Sequence, residues 1–153
     1  VCEDLGTHEN YPGWKKGVYP TRDDAQDALK ENALYVCKRE NAVVGTVILR
    51  HKPEAGYTGV NWQTPDDYKK IYVVYTLAVR PDATGSGVGA YMMDAIEQIA
   101  RAEGCIGIRL DVVKGNVPAE KLYRKCGYRY ITTKSLGYEA YGLPWYDLYE
   151  KVL

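Results

Sequence analysis

Apolar runs alternate along the chain with polar stretches that contain glycine or proline, and their periods predict the elements. Between residues 87 and 103, apolar residues recur every three or four positions from Ala90 to Ala100, which is typical of one buried helix face. Residues 71–79 are apolar on both faces, which indicates a strand in the middle of a sheet. Thr21, followed by an acidic first turn, predicts a helix that ends near residue 32.

The remaining segments predict further strands and one more helix. Strands are expected over residues 33–39, 43–51, 106–113, 128–133 and 145–152, and a short helix over residues 116–125. A strand–helix–strand core beside antiparallel hairpins is typical of a mixed α/β or α+β sheet. Residues 52–70 contain glycine and proline breaks and are expected to form a mobile loop. A length of 153 residues suits a single domain over residues 1–153.

Composition and charge narrow the classes of partner. Lysine plus arginine and aspartate plus glutamate number 20 each, so no nucleic acid or anionic membrane is expected as a partner. No apolar run approaches the roughly 18 residues of a membrane span, so we expect no membrane partner. The chain has 15 tyrosines and no phenylalanine, and a buried tyrosine needs a partner or water for its hydroxyl.

The cysteines carry no metal-binding pattern. None of Cys2, Cys37, Cys105 and Cys126 lies in a C-x-x-C pair, and the chain has two histidines, so we expect no metal site. Cys37 and Cys105 fall in or beside apolar strands, where free thiols behave as small core residues. We therefore expect a reducing, cytoplasmic compartment.

A glycine-rich segment, Thr84-Gly85-Ser86-Gly87-Val88-Gly89, lies between the apolar strand and the amphipathic helix. Glycines let a backbone approach a ligand closely and leave amide N–H groups free to point at it. The start of a helix adds roughly half a positive charge at the same place. This order predicts a site for phosphate or pyrophosphate, and a glycine-rich surface turn is the simpler alternative.

Two known phosphate-binding loops compare differently with this segment. A Walker A loop is excluded because no Lys-Ser or Lys-Thr pair follows the glycines. The dinucleotide pattern G-x-G-x-x-A does match from Gly85 to Ala90, and Asp111 lies about 20 residues further on, where a ribose-binding acid would fall. However, residues 80–84 separate the strand from the loop, and too few residues follow residue 113 for further parallel strands. A dinucleotide-binding oxidoreductase is therefore the weaker alternative.

The segments around the loop strongly resemble the GNAT family of N-acetyltransferases. Leu77, Val79 and Pro81 match the family's L-x-V-x-P strand end, and the loop resembles R/Q-x-x-G-x-G/A. The downstream family pattern N-x-x-A-x-x-L-Y-x-x-x-G-F is matched, with one change, by Asn116, Ala119, Leu122, Tyr123, Gly127 and Tyr128. The resemblance covers roughly residues 42–153 and is specific because several motifs recur in order.

The chain departs from the family pattern at three places. Thr84 stands where the family has arginine or glutamine, which removes one side-chain contact near the pyrophosphate but leaves the backbone amides unchanged. Tyr128 replaces the usual phenylalanine. The family begins with a strand and a helix, whereas this chain begins at a polar, irregular segment, so the amino-terminal strand is either missing or trimmed.

The resemblance implies a mixed, mostly antiparallel sheet flanked by helices, with a β-α-β core that binds acetyl-CoA as co-substrate and uses no metal. It implies contacts of strand backbone with the pantetheine arm and of loop amides with the pyrophosphate. The implied cofactor-binding residues are Leu77, Ala78, Val79, Thr84, Gly85, Ser86, Gly87, Val88, Gly89, Ala90 and Asn116.

By the same resemblance, Tyr123 is the catalytic residue and gives a proton to the thiolate of coenzyme A. Asn116 and Tyr123 lie about two helical turns apart and share one face. The structural alternative is an N-cap asparagine and a core tyrosine. The acceptor implied is a primary amine of a small molecule or peptide, which attacks the thioester directly. A homodimer is left open, with strand 145–152 as a candidate edge.

The sequence assigns no general base, and a chain of water molecules is an alternative, because a bound amine needs to lose only one proton before it attacks. Family members often carry a glutamate in the strand before the loop, but residues 71–79 contain no carboxylate, and Tyr75 and Thr76 occupy that neighbourhood. Candidates elsewhere, each also explained as a solvated charge or a loop cap, are His51, Asp66, Asp67, Asp111 and Glu139. The missing base and Thr84 support a non-catalytic acyl-CoA-binding regulatory domain as the other alternative.

Aromatic residues are frequent in the predicted loops and at strand ends. These residues either line an acceptor pocket or pack at the edge of the sheet, and they are Tyr57, Trp62, Tyr68, Tyr138, Tyr141 and Trp145.

Overall fold

The structure, a computed structural model, describes residues 9–153. Its helices are α1 (Arg22–Lys30), α2 (Val88–Ala102) and α3 (Val117–Lys125), and its strands are β1 (Leu34–Arg39), β2 (Ala42–Arg50), β3 (Ile71–Val79), β4 (Gly107–Val113), β5 (Arg129–Lys134) and β6 (Tyr146–Val152). The strands form a sheet in the order β1-β2-β3-β4-β6-β5. β3 and β4 are parallel and the other neighbours are antiparallel, so the predicted fold class is confirmed.

Local signals explain where the helices begin and end. Thr21 and Asp24 form a capping box. The backbone N–H of Thr21 donates to the Asp24 carboxylate at 2.7 Å, and the backbone N–H of Asp24 donates to the Thr21 hydroxyl at 3.3 Å. α2 buries the face that its periodicity predicts, with Met93 and Ile96 in the core. Gly104 then ends α2 in the left-handed conformation, with φ +73°.

The two faces of the sheet are covered by different parts of the chain. α2 and α3 pack on one face, where Leu110 of β4 joins the main apolar core. Side chains alternate along a strand, so Arg109 and Asp111 point to the opposite face. That face is covered by α1 and by residues 51–70, from which Tyr57 inserts into a second apolar cluster.

Residues 52–70 are anchored to the sheet, although the sequence predicts a mobile loop. Arg109 on β4 and Glu150 on β6 face each other as a fully buried ion pair, with Nε and Oε1 3.0 Å apart. Glu150 accepts the backbone N–H of Gln63 and the hydroxyl of Thr64, each at 2.5 Å. Arg109 donates to the carbonyl of Thr64 at 2.8 Å. Because a buried charge needs its partners, this network fixes the loop on the sheet.

The position of β6 in the sheet differs from the one expected from the sequence. Strand 145–152 is a candidate edge by sequence, but β6 pairs with β4 on one side and β5 on the other. The sheet edges are therefore β1 and β5. A homodimer formed by strand pairing would have to use one of these two edges.

Other expectations concern features that are partly outside the described residues. The helices in residues 9–153 are all too short or too polar to cross a membrane. Cys37, Cys105 and Cys126 are free thiols, and Cys2 lies outside the described range. Groups of three or more His, Cys, Asp or Glu placed to hold a metal ion are absent from the described part of the chain. The expectation about an amino-terminal strand falls partly on residues 1–8, which also lie outside it.

Candidate active site

β3 and β4 part from each other half-way along their length. Their pairing runs from Ile71 with Gly107 to Val74 with Leu110, and no described strand pairs with this edge of β3 beyond that point. A bulge in β3 opposite Val47 accompanies the parting. The parting opens a cleft between two strands whose backbone groups lack strand partners on that side.

The backbone of β3 turns alternately toward this cleft and toward β2. The N–H of Arg80 donates to the carbonyl of Val44 at 2.8 Å, so Arg80 and, two residues earlier, Ala78 face β2. Leu77 and Val79 therefore present their backbone groups to the cleft. Thr76, at the bulge, has φ +49°, an uncommon conformation for a β-branched residue. Such backbone strain is concentrated at functional sites.

The glycine loop ends at the amino terminus of α2. Gly85 and Gly87 have φ of +77° and +84°, where an L side chain is strained, and an added Cβ would contact nothing within 4 Å. No side chain caps α2, so the N–H groups of its first turn, from Val88 to Ala90, have no intrahelical partner. Gly89 instead allows α2 to pack closely against α3, because a Cβ at this position would lie 3.1 Å from the Leu122 side chain. The loop is thus open and carries free N–H donors.

Arg39 also lies at this loop, although the sequence pattern does not indicate it. Its Nη2 lies 3.3 Å from the Ser86 hydroxyl, which in turn donates to the carbonyl of Ala83 at 2.6 Å. Thr84, by contrast, bonds weakly to the carbonyl of Arg80, at 3.4 Å. Arg39 and Ser86 line a cleft of about 250 Å³ between the β1 end and α2. Nothing in the local sequence pattern indicates that the two residues meet, because they are 47 positions apart.

Tyr123 lies on α3, and Asn116 lies immediately before its first residue. Asn116 is the N-cap, and its Oδ1 accepts the N–H of Ala119 at 3.3 Å. Tyr123 is 7% exposed and packs against the rings of Tyr128 and Tyr149 at centroid distances of 6.1 Å. Its hydroxyl makes no hydrogen bond to any described residue. Burial raises the pKa of Tyr123, and the carboxylate of Asp111 raises it further, so the hydroxyl stays protonated.

Comparison with known proteins agrees with this geometry. The model of the acetyltransferase (GNAT) family matches residues 3–128. This chain belongs to the GNAT family. The family match begins earlier and ends earlier than the resemblance found by sequence, which covers residues 42–153, and it confirms that resemblance. No curated protein gives a significant match.

Solved structures with the same fold are distant in sequence. Ard1 from Thermoplasma volcanium is 17% identical, with a TM-score of 0.70 over 100% of this chain and 93% of that one. The ribosomal-protein-alanine N-acetyltransferase from Brucella melitensis is 17% identical, with a TM-score of 0.70 over 100% and 96%. A GNAT acetyltransferase from Elizabethkingia anophelis, solved with acetyl-CoA bound, is 15% identical, with a TM-score of 0.67 over 88% and 85%. At these identities the likeness shows the GNAT fold.

The GNAT fold also removes the dinucleotide alternative. A dinucleotide-binding fold needs a mostly parallel sheet, whereas the pairs in this sheet are antiparallel apart from β3–β4. Asp111, which would bind the ribose in that alternative, points to the face away from α2 and accepts a hydrogen bond from the Tyr57 hydroxyl at 2.7 Å. The loop therefore shares the glycine spacing of G-x-G-x-x-A without the fold or the acidic residue that a dinucleotide site requires.

Most candidates for the base of this GNAT domain have other partners. Asp66 binds Nη1 of Arg109 at 2.6 Å, and Asp67 caps the N–H of Lys69 at 3.2 Å. His51 stacks on the ring of Tyr72 at 4.2 Å, and Glu139 accepts from a serine in its own loop. These contacts hold loops in place and lie away from the parting of the strands.

Asp111 is different, because it lies one residue beyond the last β3–β4 pair. It belongs to a group of acidic and phenolic side chains on the face away from α2, which we call the tyrosine–carboxylate cluster. The cluster consists of Tyr19, Glu54, Tyr57, Tyr75, Asp111, Tyr138 and Tyr146. Two of the loop aromatics that the sequence singles out, Tyr57 and Tyr138, therefore meet in this cluster. Trp62 and Tyr68 instead lie against the Arg109 guanidinium, and Tyr141 and Trp145 are exposed.

Proposed function

We propose that this GNAT chain transfers the acetyl group of acetyl-CoA to a primary amine of a small molecule or peptide. The observation that carries the proposal is the parting of β3 and β4, which leads directly to an uncapped helix start with two positive-φ glycines. A strand edge without partners suits an amide-containing arm, and a helix start with free N–H groups suits a pyrophosphate. The free cysteines are compatible with a reducing, cytoplasmic compartment.

The described residues fit coenzyme A on physical grounds. The backbone of Leu77 and Val79 is proposed to bind the pantetheine arm, with Ala78 lying beside it. The loop from Thr84 to Ala90 is proposed to hold the pyrophosphate, where the absence of a Cβ at Gly85 and Gly87 leaves space. The N–H groups of Thr84 and Ser86 already donate to carbonyls in the preceding turn, so the donors are proposed to be those at the start of α2. Arg39 offers a cation at the same loop, which compensates for the arginine or glutamine that Thr84 replaces. Asn116, the N-cap of α3, is proposed to contact the cofactor as well.

The transfer itself needs few groups. The neutral amine attacks the thioester carbonyl carbon, and a C–N bond forms as the carbonyl oxygen takes the negative charge. The backbone N–H of Leu77 or Val79, which faces the cleft, is proposed to stabilise that oxygen, which is typically worth about 3 kcal/mol in the transition state. The C–S bond then breaks, and the Tyr123 hydroxyl gives its proton to the departing thiolate. Proton transfer of this kind typically contributes about 10²–10⁴-fold to the rate.

The test is thiol release from acetyl-CoA in the presence of a panel of primary amines, with acetylated product identified by mass. Amine-dependent release is expected. A protein that is stabilised by acetyl-CoA against heating but releases no thiol with any amine would instead be the non-catalytic acyl-CoA-binding domain. Stabilisation by NAD and not by acetyl-CoA would contradict both.

A further inference from the structure

We propose that Asp111 is the general base of the transfer, and that Asp111 and Glu54 make the acceptor site select cationic amines without a neighbouring carboxylate. The inference rests on the proposed function and adds to it a base and a substrate class. The sequence names Asp111 only as one of several unassigned candidates.

The position of Asp111 is the first argument. It is the first residue of β4 beyond the paired part of β3 and β4, so its side chain stands where the cleft begins. Its side chain points to the face covered by residues 51–70, while Tyr123 approaches the same end of β4 from the α3 side. An acetyl thioester that lies in the cleft would therefore have the proposed acid on one side of the sheet and Asp111 on the other.

The partners of Asp111 are the second argument. The Tyr57 hydroxyl donates to Oδ2 at 2.7 Å, and Tyr57 itself is 1% exposed, so the carboxylate is held in one orientation. The other oxygen, Oδ1, makes no hydrogen bond to a described residue and is free to accept a proton. Asp66 and Asp67, in contrast, direct their oxygens at an arginine and at a backbone N–H.

The charges around Asp111 are the third argument. Glu54 faces it from residues 51–70, and the remaining neighbours that titrate are tyrosine hydroxyls, namely Tyr19, Tyr57, Tyr75, Tyr123, Tyr138 and Tyr146. None of these groups is positive at neutral pH. Two cations border the cluster, but Arg50 is paired with Glu31 at 2.6 Å, and Lys134 donates to the carbonyl of Thr58.

Burial makes this carboxylate a better base than an ordinary one. Burial raises the pKa of Asp111 to about 6; the hydrogen bond from Tyr57 opposes the rise, and Glu54 adds to it. At neutral pH the group is still mostly ionised, so it can accept a proton. Its higher pKa makes removal of a proton from an ammonium less unfavourable than it would be for an exposed aspartate.

The proposed transfer releases one proton overall. The acceptor binds as R–NH₃⁺, and Asp111 takes one proton to leave R–NH₂ and a neutral carboxyl group. The amine nitrogen attacks the carbonyl carbon, the C–S bond breaks with its electron pair on sulfur, and Tyr123 protonates the thiolate. The amide nitrogen loses its extra proton, which restores Tyr123, and Asp111 returns its proton to water. The products are R–NH–acetyl, coenzyme A thiol and one proton.

The same charges determine which acceptors bind. Two carboxylates among tyrosine rings attract an ammonium group by charge and by the negative faces of the rings. An acceptor that carries its own carboxylate beside the amine would place that carboxylate near Asp111 and Glu54, whereas the cations Arg50 and Lys134 are held at the border of the cluster. We therefore expect amines to be preferred over the corresponding α-amino acids.

The first experiment compares Asp111→Asn with the wild type and with Asp147→Asn, a carboxylate on the neighbouring strand that faces the other side of the sheet. Asp111→Asn is expected to lower kcat/KM about 100-fold near pH 7, with a defect that shrinks as rising pH makes the free amine neutral. The acidic limb of the wild-type pH profile is expected near pH 6 and is expected to vanish in this variant. Asp147→Asn should keep that limb. An Asp111→Asn enzyme with the wild-type profile overturns the inference.

Tyr57→Phe tests Asp111 without removing it. Loss of the hydrogen bond from Tyr57 raises the pKa of Asp111, so the acidic limb should move to higher pH. Thermal unfolding shows whether Asp111→Asn folds. The folded protein favours the protonated carboxyl, so wild-type stability falls as pH rises from about 4 through 6, and the Tm advantage of Asp111→Asn should grow over that range. An acidic limb that does not move in Tyr57→Phe contradicts the assignment of the base.

The acceptor class is tested with matched pairs, such as 2-phenylethylamine against phenylalanine and cadaverine against lysine. The amine of each pair is expected to have a kcat/KM about 10-fold or more above its carboxylated partner, and Glu54→Gln should narrow that ratio. Equal use of both partners overturns the selectivity. Failure of all amines, with no thiol release at all, would instead contradict the proposed function.

Discussion

The glycine loop and the tyrosine–carboxylate cluster lie near the same cleft but are built in opposite ways. The loop is a continuous stretch whose donors are backbone N–H groups, held by the φ angles of Gly85 and Gly87. The cluster brings together side chains from the amino-terminal segment, residues 51–70, β3, β4 and the segment that leads into β6. A backbone site depends on conformation and tolerates most side chains. A side-chain site depends on each hydroxyl and carboxylate, and this difference determines how each site should respond to substitution.

The largest expected effect concerns Tyr123, which lies between the two regions. Tyr123→Phe keeps the ring in the core but removes the proposed proton donor. We expect kcat to fall by about 10²–10⁴-fold while the KM for acetyl-CoA is nearly unchanged. Steady-state thiol release measures both constants. Tyr130→Phe, which removes a half-exposed hydroxyl on β5, is the matched control. Equal kcat for Tyr123→Phe and wild type would show that Tyr123 is only a core residue.

The next effect concerns the ion pair beneath the acceptor side. Glu150→Ala leaves Arg109 buried without its main partner and removes acceptors from Gln63 and Thr64, so we expect a loss of about 3–5 kcal/mol in the free energy of unfolding. Chemical denaturation measures it. Lys30→Ala, which breaks an exposed pair with Asp27, should leave the denaturation midpoint unchanged. A mild effect of Glu150→Ala would mean that the loop is held by its apolar contacts.

A smaller effect tests the backbone nature of the loop. Gly87→Ala forces a Cβ into the left-handed region, which costs about 1–2 kcal/mol. Gly104→Ala has the same strain at φ +73°, also with nothing within 4 Å, but lies at the far end of α2. Both variants should lose similar stability, and only Gly87→Ala should raise the KM for acetyl-CoA. A raised KM in both would mean that strain anywhere in α2 disturbs the site.

The smallest effect concerns Arg39, the one side chain assigned to the loop side. Arg39→Ala should raise the KM for acetyl-CoA severalfold at low salt, and the difference should shrink as salt screens the charge. Arg22→Ala, at the start of α1, serves as the control for loss of a surface charge. If Arg39→Ala has the wild-type KM for acetyl-CoA at every salt concentration, Arg39 does not contribute to binding and the loop binds through its backbone amides.

The same contrast explains what could be predicted from the sequence. β3 has its predicted bounds, and α2 begins and ends within a residue of expectation, because periodicity and glycines act locally. The N-cap of α1 at Thr21 is predicted for the same reason, and the structure adds the reciprocal hydrogen bond with Asp24. The place of β6 between β4 and β5 could not be predicted, since strand order depends on pairing between distant segments.

Side-chain contacts between distant segments also could not be predicted from the sequence. Arg109 meets Glu150 across 41 positions, and Tyr57 meets Asp111 across 54. The sequence offers Asp111 as one of several candidates, and its place at the end of the β3–β4 pairing and its long-range contacts separate it from the others. The cofactor-binding residues, Asn116 and Tyr123 stay predictions about a role, although their positions agree with the family pattern.

The most direct test of this division is a crossed kinetic measurement on Gly87→Ala and Asp111→Asn, with acetyl-CoA and one amine varied independently. We predict that Gly87→Ala raises the KM for acetyl-CoA and leaves kcat/KM for the amine, measured at saturating acetyl-CoA, unchanged. Asp111→Asn should do the reverse, with a lower kcat/KM for the amine and an unchanged Kd for acetyl-CoA. If both variants change the same constant, the loop and the cluster do not serve separate substrates.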